Sequence, residues 1–599
     1  MIYNPLDNFY KSKIGAFCEN ESITFRVKGN FNSLSIYYFK DGDKEKTEIP
    51  MNKENGVFSL TISLNRGLYF YCFKIDEFNF IGKSKNLHGK IVKNPNYYQL
   101  SVYDADYDVP STIKGGLIYQ IFPDRFCRFN NKPIISKDKL FHKDLSDNPV
   151  YLPNEQGEIL NNDFFGGDLL GIVSKLEYLK DLGVNAIYLN PIFKAYSNHR
   201  YDTADYFNID ETLGSNADFK FLLSECHKRG IKVILDGVFN HTGDDSIYFN
   251  KYGNYDSVGA YQSENSPYYN WFDFISYPKK YNSWWGIKTL PTTNKNSGFV
   301  DFIAGENGVV SHYTKLGVDG WRLDVVDELP KEFVQKIRKA VKSINKDAII
   351  IGEVWEDATN KFAYDTRREY FLGKELDSVM NYPLKNAIID YCVSANADSL
   401  IELIITQIDH HPKIVLDTLM NILSTHDTYR IISALANIDT SNLDRKEIAK
   451  ISLTDDEYNK AISKLKIATV LQFTLYGVPS IYYGDEIGMQ GFKDPFNRAF
   501  FKWNEVDNEV NKWYKNLCNI RKSISAFIDG EVSNLHANKG LITYTRKDDI
   551  SEVLVIVNAD SSSHTVEFDG RLVNLIDGNT YDNLIEINGE FCGIFVNID

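Results

Sequence analysis

The chain has 599 residues, of which 43% are hydrophobic and 25% charged: an ordinary globular balance, but too long for one core, so several domains are expected. A net charge of −15 without a basic patch argues against nucleic acid and anionic membrane surfaces as partners. Seven cysteines, scattered from Cys18 to Cys592 with no CxxC pair, fit free thiols in a reducing compartment better than a disulfide framework or a zinc site.

The start, Met1 to Asp7, has no basic head followed by an apolar run, and no uncharged apolar stretch is long enough to span a bilayer. A soluble, cytoplasmic protein is the expectation. Residues 1–113 show short alternating runs, such as Ser22 to Val27 and Leu34 to Phe39, between Gly, Asn and Asp turns. They predict an N-terminal β-sandwich resembling a carbohydrate-binding module. From Gly115 the pattern changes. Leu117 to Phe122 is a buried-strand run, and Asp168 to Gly183 reads as a helix with Leu169, Ile172, Leu176 and Leu179 on one face. Further strands are expected at 185–189, 233–237, 320–325, 348–352, 378–382, 420–425 and 480–483, with a helix at Asn216 to Gly230. Eight buried strands alternating with helices over residues 114–527 predict a (β/α)₈ TIM barrel. The long insertion at 242–298, after the third strand, is rich in Tyr, Asn, Gly and Trp, and reads either as a substrate wall or as a small unit with its own aromatic core. Residues 528–599 return to short strands and predict a C-terminal β-sandwich.

Asp324 closes the run from Gly320, and Glu353 closes Ile350-Ile351-Gly352. Each is expected at the C-terminal end of a buried parallel strand, where this fold places its chemistry. Two carboxylates held on adjacent strands can act as nucleophile and general acid on a glycosidic bond. Polar residues gather at strand ends in barrel order: Asp236 to His241 after the third strand, Arg322 to Asp324 on the fourth, Glu353 after the fifth, and Ser424 to Asp427 after the seventh. A strand-terminal Asp or His alone is usually a cap or a satisfied polar group; four such clusters in order are hard to explain as accident.

These four motifs, with Ser197 to Asp202 and Asp494 to Arg498, resemble the α-amylase family of glycoside hydrolases, family 13. The resemblance implies that Asp324 is the nucleophile, Glu353 the general acid/base, and Asp427 a third carboxylate that grips sugar hydroxyls. It implies that Tyr201 stacks on the sugar with His199 beside it, and that His241 and His426 donate to its hydroxyls. Asp494 and Arg498 would hold the far side of the subsite, while Asp236 and Asn240 would be structural. Arg322, two residues before Asp324 on the same strand face, would keep Asp324 ionised. Glu353 must start protonated, so a drier or more negative site than that of Asp324 is expected.

The string His199 to Phe207, with Glu328 and Trp355 shaping the acceptor side, looks like the neopullulanase, cyclomaltodextrinase and maltogenic amylase group. The resemblance implies a retaining α-glucan hydrolase cutting α-1,4 bonds of cyclodextrins, pullulan, maltooligosaccharides and starch, with α-1,6 cleavage and transglycosylation as further outcomes. The alternative is an α-glucanotransferase or an α-1,6-acting debranching enzyme of the same family. A homodimer through the N-terminal domain also follows, with a starch-binding role for that domain as its rival. Two departures touch substrate preference: Leu290-Pro291-Thr292-Thr293-Asn294 replaces an MPKLN-like signature, and Val325-Val326-Asp327-Glu328 replaces Val-Ala-Asn-Glu. No cofactor is required by this chemistry. Gly166 and Asp168 resemble half of a calcium site, but the stretch Cys127 to Asn131 puts a cation, Arg128, where a ligand is wanted, and offers too few carboxylates for a tight site.

Overall fold

A computed structural model describes residues 1–129 and 138–598. The N-terminal region forms a seven-stranded and a three-stranded sheet facing each other. Along Ser22–Lys28 every second residue is buried, so one face of each strand feeds a core of Tyr3, Phe25, Ile36, Phe58, Tyr71 and Phe73.

The barrel consists of β1 (Ile118–Ile121), β2 (Ala186–Leu189), β3 (Lys232–Gly237), β4 (Gly320–Leu323), β5 (Ile349–Gly352), β6 (Ser378–Val379), β7 (Met420–Ile422) and β8 (Val478–Tyr482). Neighbours pair in parallel, β1 lies between β2 and β8, and a bridge from Met380 to Met420 joins β6 to β7 and closes the ring. The strands are buried on both faces, and period two divides the faces. Ile118, Ala186, Tyr188, Ile234, Ile349, Ile351, Met420 and Ile422 fill the interior, whereas Ile187, Leu189, Val233 and Ile350 pack outward on the helices. The same alternation carries upward. Two residues beyond Ile118, Ile234, Gly320, Ile351 and Ile422 stand Gln120, Asp236, Arg322, Glu353 and Ser424, at the mouth of the barrel.

Two expected elements differ locally. The helix from Asp168 is interrupted at Lys175 into Leu169–Ser174 and Leu176–Leu182, with Asp168 capping its start and Gly183 ending it at φ 100°. The sixth strand is shorter than the run 378–382, because Asn381 accepts from Leu384 N at 3.3 Å and caps the helix Tyr382–Ser394. The insertion combines both readings of it. Phe249 packs on Phe272, Phe274 and Tyr281, an aromatic core of its own, while Trp284 and Trp285 line the cleft above the barrel.

The last six strands, from Glu531 to Asn597, form one antiparallel sheet. It docks on the buried helix Asp455–Thr474, where Arg546 donates to Thr474 O at 2.6 Å and Tyr544 OH meets Thr474 Oγ1 at 2.5 Å. No helix among the described residues is long and apolar enough to cross a membrane. The N-terminal sheets are pinned to the barrel by a fully buried ion pair between Lys11 and Asp409. Removing one partner of such a pair strands the other charge, so Asp409→Ala should lower stability by about 3–5 kcal/mol. Denaturant unfolding followed by limited proteolysis of the N-terminal region measures this; an unchanged midpoint with unchanged protection would show that the pair does not fasten the sheets.

Candidate active site

Arg322 is the centre of the barrel mouth. Its side chain is fully buried, and Nη1 donates to Asp236 Oδ1 and Asp324 Oδ1 at 2.8 Å each while Nη2 lies 2.9 Å from Glu353 Oε2. Strand register explains the convergence, since Asp236 pairs with Arg322 and Arg322 with Ile351, two residues before Glu353. Val325 follows Asp324 with φ 39°, a left-handed conformation rare for a β-branched residue, and this turns its N–H onto Glu353 Oε2 at 2.8 Å. Trp355 Nε1 donates to Glu353 Oε1 at 2.9 Å, and its ring stacks on Tyr382 at 3.9 Å.

Val325 N and Trp355 Nε1 donate to Glu353, whereas Asp324 accepts from Arg322 and faces Glu353 and Asp236. Burial raises the Asp324 pKa well above the usual carboxylate range, and the neighbouring carboxylates reinforce that shift against the pull of Arg322. Asp236 is also raised by burial, although Tyr188 OH at 2.6 Å, Tyr201 OH at 3.0 Å and Arg322 all donate to it. Its three donors are consistent with the bracing role expected of it.

On the far wall, Gln120 Nε2 meets His426 Nδ1 at 2.9 Å, so Nδ1 accepts and Nε2 carries the proton. That N–H reaches Tyr201 OH at 2.5 Å and Asp427 Oδ2 at 3.1 Å. Burial, with Arg498 and Arg322 nearby, depresses the His426 pKa, so the ring is neutral. The Tyr201 ring lies parallel to it at 5.3 Å. Arg498 pairs with Asp494 at 2.8 Å, approaches Asp427 at 3.6 Å and donates from Nε to His426 O at 3.0 Å. His199 Nδ1 is held by Ser197 Oγ at 3.0 Å and Tyr201 N at 3.1 Å. His241 is buried against Trp284, its pKa pushed down to about 3 by burial, and neither ring nitrogen has a side-chain hydrogen bond. His241 lines the cleft, so a hydroxylated ligand can satisfy a ring nitrogen there.

On the near wall, Glu328 collects Asn240 Nδ2 at 2.7 Å and Trp284 and Trp285 Nε1 at 3.0 Å each. Asn240 in turn is held by Lys295 Nζ at 2.8 Å. Together these walls enclose a cleft of ≈ 1480 Å³ that reaches from Asp494 past Asp324 and Glu353 to Trp285 and Tyr364. All the sequence-assigned residues around the carboxylates therefore share one site. Gln120, Tyr188, Lys295 and Tyr364 were missed. The inward register of Gln120 and Tyr188, two residues from Ile118 and Ala186, was the available signal; Tyr364 had none.

Gly166 and Asp168 stand apart from this cleft, and their surroundings do not fit calcium. Arg128 donates to the carbonyls of Phe165 and His142. Asp168 accepts from Gly171 N at 2.6 Å and Phe129 N at 3.2 Å, as a helix cap does. Asn130 and Asn131 lie outside the described residues, among which no group of three or more His, Cys, Asp and Glu could hold a metal.

Because one guanidinium serves three buried carboxylates, its loss should be felt in titration. With Asp324 raised, the acid limb of kcat/KM should lie above the ordinary carboxylate value of about 4. In Arg322→Gln the remaining positive term vanishes, so the limb should move further up in pH while kcat/KM falls. A limb that stays put or moves down in the pH–rate profile would refute the assignment of Asp324 as the group that must be ionised.

Residues 120–523 match the family described as alpha amylase, catalytic domain. An amylopullulanase of Thermoanaerobacterium saccharolyticum is 34% identical over 98% of this chain and 50% of its own length. The chain spans half or less of the amylopullulanases it matches. A cyclomaltodextrinase of a Bacillus species is 32% identical over 82% of this chain and 80% of its own. Among solved structures, a cyclomaltodextrinase superposes with a TM-score of 0.71 at 25% identity, covering 100% of this chain and 99% of that one. With a family match over more than half its length and relatives above 30% identity, this chain belongs to the α-amylase family of glycoside hydrolases.

Proposed function

We propose that this protein is a retaining α-glucan hydrolase that cuts α-1,4-glucosidic bonds through a glycosyl-enzyme intermediate. The observation that carries the reading is the sharing of Arg322 by Asp324 and Glu353. Sharing one guanidinium keeps the two carboxyls close, which favours the spacing of about 5 Å that retaining enzymes use over the wider one that leaves an inverting enzyme room for water.

In the first half-reaction Glu353 protonates the glycosidic oxygen, the C–O bond breaks toward that oxygen, and an Asp324 oxygen bonds to the anomeric carbon. In the second, Glu353 takes a proton from water, whose oxygen displaces Asp324. As positive charge grows on the anomeric carbon, it favours ionised Asp324. Asp427, with Arg498, accepts from sugar hydroxyls; His241 donates to them, while His426 gives its one proton to Tyr201 and Asp427 and so orients them. Tyr201 and His199 form the wall against which the ring rests, with Asp494 fixing Arg498 behind it.

The substrates proposed are cyclodextrins, pullulan, short maltooligosaccharides and starch. The cleft is wide enough for a chain, and relatives bear the names cyclomaltodextrinase and amylopullulanase. A sugar hydroxyl can replace water in the second half-reaction, so transglycosylation belongs to the same reading. Seven unpaired cysteines support a reducing compartment, hence the cytoplasm. Pairing of two copies through the N-terminal sheets completes the reading; light scattering after deletion of that region tests it.

Two measurements test the chemistry. Products from pullulan, β-cyclodextrin and soluble starch should include panose and opened maltooligosaccharides, whereas maltotriose from pullulan would show α-1,6 cleavage, and no cleavage of any of the three would refute the substrate class. Glu353→Gln should lower starch cleavage by about 10²–10⁴-fold, yet still release fluoride from α-maltosyl fluoride, whose leaving group needs no proton. Equal losses on both substrates would remove Glu353 from the role of acid.

A further inference from the structure

The chain between β5 and β6 carries a two-residue hairpin, Phe362–Ala363 paired with Thr366–Arg367, whose tip lies in the cleft. Both tip residues, Tyr364 and Asp365, are left-handed at φ 50° and 57°, the signature of a tight turn that usually recruits Asn or Gly. Tyr364 is 65% exposed, and Trp285, the other ring at this end of the cleft, is 80% exposed. The two rings come from segments far apart in sequence, yet both meet Glu328: Trp285 donates to it at 3.0 Å, and the Tyr364 hydroxyl pairs with the same carboxylate. Tyr364 belongs to the segment that follows β5 and carries Glu353 and Trp355, whereas Asp427 and Arg498 follow β7 and β8. The acid that protonates the leaving oxygen faces the leaving chain, so the rings flank the acceptor half of the cleft.

The base of the hairpin is held by the N-terminal sheets. Arg367 makes a forked pair with Asp41, at 2.9 and 3.2 Å, and its guanidinium lies over the Phe362 ring. Gln99 accepts from Asn360 Nδ2 and donates to Thr359 Oγ1, both at 2.8 Å, in a buried contact. Arg66 donates to Leu372 O at 2.8 Å at the end of the same segment. The Asp41 pair is partly exposed and by itself worth little, but the fork fixes direction, and Gln99 fixes the root.

We infer that the N-terminal sheets set acceptor binding in this active site: Asp41 and Gln99 are positioning residues that hold the Tyr364 hairpin, so that a departing or incoming glucan chain is gripped between Tyr364 and the Trp284–Trp285 pair. The inference rests on the α-glucanase reading and adds to it a route from a distant sheet to specificity. The grip requires a ligand long enough to pass Glu353, so a substrate with a one-atom leaving group is blind to it.

Steady-state kinetics on β-cyclodextrin and on α-maltosyl fluoride test this with Tyr364→Ala, Asp41→Asn and the conservative Asp41→Glu. The loss of one aromatic contact should raise KM for β-cyclodextrin about three- to tenfold in Tyr364→Ala. A smaller rise, with less transfer product in the presence of maltose, is expected in Asp41→Asn, and recovery in Asp41→Glu. Fluoride release should stay within about twofold of wild type in Asp41→Asn and Asp41→Glu, since the positioned catalytic groups are untouched. If wild type cuts β-cyclodextrin and neither Tyr364→Ala nor Asp41→Asn changes KM, or if fluoride release falls in parallel, the inference is overturned while the glycosidase reading stands. A wild type that cuts neither substrate overturns both.

Discussion

The active site depends on one buried guanidinium. Placing Asp236, Asp324 and Glu353 together at the top of a dry barrel would be prohibitive without a counter-charge, because each ionised carboxylate costs several kcal/mol to desolvate. Arg322 meets all three with a single planar group, which a lysine could not do. The rest of the mouth is an extension of that contact. From Arg322 the hydrogen bonds run through Asp236 to Tyr201, from Tyr201 to His426, from His426 to Gln120, and from Gln120 to Asn190. The network draws residues from β1, β3, β4 and the ends of β2 and β7, so any disturbance of strand register would be transmitted to the carboxylates.

That coupling follows from period two. In a closed parallel barrel every second residue points inward, and the last inward position of each strand must be polar because it meets the cleft. The chain fills these positions with groups that satisfy one another, which leaves few polar atoms idle. His241 is one exception, as are Gln120 Oε1 and Arg322 Nη2, and in its buried ring both nitrogens lack a side-chain hydrogen bond. An unsatisfied buried polar group is costly, and its place in the cleft is explained if a substrate hydroxyl completes it.

The barrel and its carboxylates were legible in the sequence because both follow short-range rules. Strands such as Ile349–Gly352 are apolar runs of fitting length, bounded by turns, and Asp324 and Glu353 end such runs. Strand six was read too long because the capping power of Asn381 was outweighed by the apolar residues before it. Gln120 and Tyr188 were passed over because, inside a strand, a polar or aromatic residue carries no mark of which face it takes until the inner layer is known. The wall formed by Glu328, Trp285 and Tyr364 joins segments with no periodic relation, so nothing local predicts it. Arg128 was noticed for its charge, but its two carbonyl partners, Phe165 and His142, lie beyond any motif.

The backbone gives a further argument that this wall is functional. Val325, Trp285 and Tyr364 all take positive φ, at 39°, 49° and 50°, and all three line the cleft. Glycine would relax each of these positions, and keeping a bulky or branched side chain there costs on the order of 1–3 kcal/mol apiece. At Val325 the left-handed turn aims a backbone N–H at Glu353 and carries the chain on toward Glu328; at Trp285 and Tyr364 it presents a large ring to solvent. The hydrogen bonds that Trp285 and Tyr364 give Glu328 offset little of that strain, because both rings are largely exposed. The side chains at these turns are therefore maintained by what they contact when the cleft is filled.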